Sequence, residues 1–215
     1  MTSTPIKVPA DRRFDRRFDS RFASSFAARW AGRLAASLVL LTGGTAYAAA
    51  ACPALLNTSQ PRLQDEKPIN LCDNAGKVLL VVNTASFCGF TSQYKSLEAL
   101  HERYRERGLV VLGFPSNDFS QEPGSGAEIA EFCENTFRVR FPMFAKSHVA
   151  PGVGRTVNPL FVSLQQRSGK APTWNFHKYL VSRSGEVVIS HASATDPKDP
   201  AFLRDLEKLL KAKQD

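Results

Sequence analysis

Apolar positions along this chain fall into two spacings, one of strands and one of helices. Lys77-Val-Leu-Leu-Val-Val82 is short, unbroken and β-branched, which predicts a strand buried on both faces. Gln93, Tyr94, Leu97, Leu100 and Tyr104 then recur at helical spacing, and Gly108 stops that helix. Leu109–Phe114 predicts a second buried strand, broken by Pro115, and Ser116–Gly126 reads as a loop rich in Ser, Gly and Asp. A second helix carries Ile129, Phe132, Cys133 and Phe137 on one face and ends at Pro142. Pro159–Gln165 predicts about one further helical turn. Tyr179–Arg183 and Glu186–Ser190 bracket Ser184-Gly185, a hairpin signal. Pro200 opens a last helix with Phe202, Leu203, Leu206, Leu209 and Leu210 inside. Upstream, Arg62–Asp65 and Ile69–Cys72 flank Glu66-Lys67-Pro68 and predict a short hairpin. Residues 146–155 carry no strong signal.

The first 48 residues follow a different rule. Arg12-Arg13-Phe14-Asp15 repeats as Arg16-Arg17-Phe18-Asp19, and Arg21, Arg29 and Arg33 follow. The apolar stretch Leu34–Leu41 and the small residues Ala46-Tyr47-Ala48 complete the pattern of a secretory signal peptide with a long basic leader. The apolar stretch is too short for a membrane span. Aspartates stand where a twin-arginine signal wants apolar residues. An extension translated from an upstream start codon is the alternative origin for this segment. The expected division is a leader over 1–48 and one domain over 49–215, with export to a periplasm-type compartment.

Charge then reads differently. The chain carries a net +8, of which 1–48 supply +5, so the remaining domain holds only +3. No basic stripe with interleaved aromatics is left, and a nucleic-acid partner is not expected. Four cysteines remain, with no Cys-x-x-Cys; His101, His148, His177 and His191 lack ligand spacing, so no metal is expected. Cys88 is the informative one. It lies past a buried strand and before a helix, close to unpaired backbone N–H groups and the positive end of a helix dipole, a setting that suits an anionic sulfur. An inert, buried thiol is the competing reading.

The element order βαβα, hairpin, α is that of the α/β thioredoxin fold, here with an N-terminal β-hairpin extension. On that order, NTASFCGFT (83–91), FPSNDFSQEPG (114–124) and WNFHKYLV (174–181) resemble the glutathione peroxidase family, in sequence order over roughly residues 60 to 213. Peroxiredoxins are less similar, because their threonine three residues before the reactive cysteine is Ala85 here. The resemblance implies a cysteine-type peroxidase that reduces hydrogen peroxide and organic hydroperoxides with an external thiol, thioredoxin-like or glutathione, and no cofactor. It makes Cys88 the peroxidatic residue and Trp174 and Asn175 its hydrogen-bond donors. Core packing is the alternative for Trp174.

The family's glutamine in Asn-Gln-Phe is replaced by Asp118, in a loop one residue shorter. Asp118 either faces the sulfur or points away, with Gln121 or a backbone N–H filling the gap. Cys133 lies where family members carry a resolving cysteine, and core packing is its alternative; Ser116 occupies the other family position for one. No tetramer-forming insertion precedes Trp174, which implies a monomer. Cys52 and Cys72, both ahead of the first core strand, are expected to form a structural disulfide; the competing reading is a lipid on Cys52 after Ala49-Ala-Ala. A thiol redox sensor or relay and a scaffold without chemistry are the two functional alternatives.

Overall fold

The computed structural model describes residues 51–212, so the leader expected over 1–48 lies outside the described residues. A short 3₁₀ turn at Ala54–Leu56 leads into an antiparallel hairpin of β1 (Ser59–Pro61) and β2 (Pro68–Asn70). The expected hairpin is present, but its first strand lies upstream of Arg62–Asp65. Those residues are the turn instead: Arg62 pairs with Asp65, the Arg62 carbonyl accepts the Glu66 N–H, and Glu66 is left-handed with φ 55°.

The main sheet contains β3 (Val78–Thr84), β4 (Leu109–Pro115), β5 (Lys178–Val181) and β6 (Val188–His191), in the order β4-β3-β5-β6. β3 runs parallel to β4 and antiparallel to β5, and β5 is antiparallel to β6. The helices are α1 (Gln93–Tyr104), α2 (Gly126–Phe137), α3 (Pro159–Ser168) and α4 (Pro200–Lys211). This is the thioredoxin fold that the element order predicts.

Every residue of β3 is buried because each face of the sheet has its own core. Val78, Leu80 and Val82 pack with Tyr94 and Leu97 of α1, Ile129 of α2 and Phe202 and Leu206 of α4. Leu79 and Val81 point the other way, into Leu160, Phe161 and Leu164 of α3. An unbroken apolar run is the sequence form of a strand covered on both sides.

Two helices depart from expectation. α3 has ten residues rather than about one turn: Asn158 accepts the Leu160 N–H, Pro159 starts the helix, and Gly169 closes it at φ 71°. α2 ends at Phe137, before Pro142, because Arg138 turns left-handed at φ 53°. The hairpin strands also sit slightly outside the expected bounds, with Val181 opposite Val188 and Gly185 left-handed in the loop. Within β4, the Gly113 N–H donates to the Pro142 carbonyl and its carbonyl accepts the Phe144 N–H, and a Cβ there would collide with the Met143 sulfur. Only glycine lets this segment close against the sheet edge.

Cys52 and Cys72 form the expected disulfide, with Cα atoms 5.2 Å apart across 20 residues. The sulfur that a lipid would require is therefore engaged. Among the described residues, no helix is long and apolar enough to cross a membrane. Replacing both cysteines by serine should lower unfolding stability by about 2–4 kcal/mol under oxidising conditions. Denaturant titration with and without a dithiol checks this. Reductant should destabilise the parent and leave the variant unchanged; equal curves for the two proteins without reductant would show that the bond is dispensable.

Candidate active site

β3 ends at Thr84, and residues 85–92 turn before α1 begins. Thr91 organises that turn: its hydroxyl accepts the Cys88 N–H at 3.0 Å and donates to the Ala85 carbonyl at 3.0 Å. The Thr91 N–H returns to the Cys88 carbonyl at 3.0 Å, and Gln93 and Tyr94 continue the same three-residue step onto Phe90 and Thr91. Cys88 thus heads a run of tight turns feeding α1, rather than occupying the helix's own first turn. One backbone donor reaches its sulfur, the Phe90 N–H at 3.4 Å. The residue is partly exposed rather than buried.

Asn175 is wholly buried. Its amide nitrogen donates to Gln121 Oε1 at 2.9 Å, and the Gln121 carbonyl accepts the N–H of Phe87, the neighbour of Cys88, at 3.1 Å. These two bonds tie Asn175 to the turn that carries the thiol. Trp174 is 42 % exposed and tilts against Phe119 with ring centroids 5.5 Å apart. It is a rim residue, not core.

Asp118 points away. Its carboxylate accepts from His148 Nδ1 at 2.5 Å and from the Val149 and Ala150 N–H groups at 2.7 and 2.9 Å, with Arg155 Nη1 at 3.3 Å. Burial alone would raise this carboxyl; the His148 bond, the two backbone donors and the Arg155 charge outweigh it and lower the pKa. Asp118 therefore anchors the segment 148–155, the arrangement in which it points away. Gln121 stands beside Asn175 in its stead.

Cys133 lies on α2, 2 % exposed, in the core shared with Tyr94, Ile129 and Phe141. Burial pushes its thiol up to about 11. Cys88 packs against the edge of the same core from a different element. The two sulfurs are not bonded.

One residue escaped sequence reasoning. Glu122 is fully buried; one carboxylate oxygen accepts the Ser86 hydroxyl at 3.1 Å, and the other has no partner among the described residues. Burial raises its pKa. Lys146 braces the segment by donating to the Gly124 carbonyl at 2.6 Å. Glu122, Ser86, Phe87, Ile129 and Phe132 line a cavity of about 370 Å³ between the Cys88 turn and α2. The tight Gln-Glu-Pro-Gly turn was the signal available for it. Among the described residues, no group of three or more His, Cys, Asp or Glu is placed to hold a metal.

Comparison with known proteins gives the same direction. Residues 56–165 match the glutathione peroxidase family. The chain is 43 % identical over 155 residues to a glutathione peroxidase-like peroxiredoxin of Schizosaccharomyces pombe, covering 70 % of this chain and 95 % of that one. It is 47 % identical over 157 residues to a hydroperoxy fatty acid reductase of Synechocystis, covering 68 % and 90 %. Among solved structures, it superposes on the apo crystal structure of Trgpx with a TM-score of 0.58 and 30 % identity, over 75 % of this chain and 98 % of that one.

Next to Asn175 and Phe176, buried His177 places Nε2 2.8 Å from the Ser190 hydroxyl. Burial, then the charges of Lys178 and Lys170, lower its pKa from 6.5 to about 4. Between those values the unfolded chain takes up a proton that the native state refuses. This contribution to stability is complete above about pH 6.5 and is lost as pH falls toward 4. Parent and His177→Phe unfolding free energies should diverge over that window, the parent falling faster by up to about 1.4 kcal/mol per pH unit. Parallel curves would place the titration elsewhere.

Proposed function

Because the chain belongs to the glutathione peroxidase family, we propose that its thiol-dependent reduction of hydroperoxides runs through Cys88, with Trp174 and Asn175 as the donors around the reacting atoms. In this reaction the Cys88 sulfur, as thiolate, bonds to one peroxide oxygen while the O–O bond breaks. The other oxygen leaves as hydroxide or alkoxide and takes a proton, and the cysteine becomes a sulfenic acid. Such a step needs an accessible sulfur and neutral donors for the developing charge. The observation that carries the reading is the turn itself: partly exposed Cys88 with a backbone donor on its sulfur, joined through Gln121 to the Asn175 amide.

The rim supports a substrate with an apolar body. Phe87 is 69 % exposed and Trp174 stands beside Phe119. We read organic hydroperoxides as substrates alongside hydrogen peroxide, in keeping with the name of the Synechocystis relative. The second half of the cycle returns the sulfenic acid to thiol. In the reading adopted, Cys133 attacks it, water leaves, and a thioredoxin-like dithiol reduces the resulting disulfide faster than glutathione does. Cys133 must first leave the core, which requires local opening of α2. The chain is read as a monomer. The disulfide at Cys52–Cys72 and the leader pattern support an exported, oxidising location.

Cys88→Ser should abolish peroxide reduction without unfolding the domain, since a hydroxyl has no usable anionic form at neutral pH. Turnover near the parent rate would overturn the assignment. Trp174→Phe and Asn175→Ala should each slow Cys88 oxidation about 10- to 1,000-fold, the cost of one lost charge-stabilising donor; unchanged second-order rate constants would make both residues structural. Cys133→Ser should still react once with peroxide and then fail to turn over with thioredoxin. Full turnover in that variant would leave Cys133 as core packing.

A further inference from the structure

The turn that presents Trp174 and Asn175 does not hold itself. Phe176 has φ 61°, in the left-handed region, where a bulky side chain is strained by about 1–2 kcal/mol. Such a conformation persists only where its surroundings impose it. Chief among the surroundings here are one side chain and its backbone. Asn83, fully buried near the end of β3, engages all its polar groups with residues 174–177. Its Nδ2 donates to the Trp174 carbonyl at 3.1 Å and its Oδ1 accepts the His177 N–H at 3.1 Å. Its carbonyl accepts the Phe176 N–H at 2.6 Å and its N–H donates to the His177 carbonyl at 3.4 Å.

The register shows why a side chain is required. β3 pairs with β5 through Val82 opposite Lys178, so Asn83 would next face His177. Because Phe176 turns left-handed, two successive N–H groups converge on Asn83, as in a bulge. The Asn83 carbonyl takes one of them, and the side-chain amide takes the other. An apolar residue at 83 would leave the buried His177 N–H unsatisfied and take the amide partner from the Trp174 carbonyl. Lys178 completes the lock by donating to the Phe176 carbonyl at 2.7 Å and the Ser193 carbonyl at 3.2 Å.

We infer that Asn83 is a positioning residue for the hydroperoxide step, fixing the left-handed turn that presents Trp174 and Asn175 at the end of β3 from which the Cys88 turn departs. The inference rests on the reading of Trp174 and Asn175 as donors. It touches no reacting atom and acts only through them.

The test is a variant cycle in the full chain with the Cys52–Cys72 bond intact. Cys88 oxidation by hydrogen peroxide is followed in single turnover, and alkylation of Cys88 by iodoacetamide is followed in parallel. Asn83→Ala should slow oxidation about 10- to 100-fold, as expected for misplaced catalytic donors, with alkylation within about twofold of the parent. Added to a variant carrying both Trp174→Phe and Asn175→Ala, it should cost little more, because the donors it positions are already gone. An oxidation rate within about twofold of the parent, alkylation slowed equally, or losses that multiply would each overturn the proposal. If the alanine variant fails to fold, Asn83→Asp replaces it; it keeps the size, lacks the donor to Trp174, and should show the same pattern. Failure of both to fold would make Asn83 a folding residue and also overturn the proposal. If Asn175→Ala and Trp174→Phe themselves leave oxidation unchanged, the donor reading fails instead, independently of Asn83.

Discussion

The site hangs from β3 and its two hydrogen-bonded edges. On one edge the parallel partner β4 runs out at Pro115 into the loop bearing Asp118 and Gln121. On the other, antiparallel β5 begins where the Trp174–His177 turn ends. The strand itself leads into the Cys88 turn. Three segments distant in sequence therefore meet at one end of one strand, and their meeting depends on β3 keeping its register. Burial on both faces fixes that register, since a slip of one residue would exchange Leu80 and Val82 for Leu79 and Val81 and set each against the wrong core.

Charge is distributed to protect this arrangement. Three neutral amides, those of Asn83, Asn175 and Gln121, link the turn to its partners, while of the nearby carboxylates Asp118 is fully engaged and Glu122 through one oxygen. Asp118 is held by His148, Arg155 and two backbone donors; Glu122 is held by Ser86. A free carboxylate facing an anionic sulfur would oppose the chemistry. Asp118, which stands where the family pattern has glutamine, is turned into the 148–155 segment, and Gln121 lies next to Asn175.

Much of this was readable from residues alone. Unbroken apolar runs located β3 and β4, helical spacing located α1, α2 and α4, and the three separated segments located Cys88, Trp174 and Asn175. The direction taken by Asp118 was not readable, because it is decided by partners 30 to 37 residues away in a stretch with no periodicity. The length of α3 was under-read because its apolar positions are few, although its Asn-Pro start and glycine stop were present. Asn83 was hidden inside an apolar strand, where a single polar residue says that it is satisfied but not by what. Cys133 was open between a resolving role and core packing from its residues alone, and the structure places its side chain in the core on α2.

The most direct test of the account is intact and peptide mass mapping of the native protein after one equivalent of hydrogen peroxide. The peroxide should be consumed and the change should fall on Cys88, either as one added oxygen or as a Cys88–Cys133 bond, with Cys52–Cys72 untouched. Peroxide left unconsumed, or oxidation spread over other residues while Cys88 stays reduced, would contradict it.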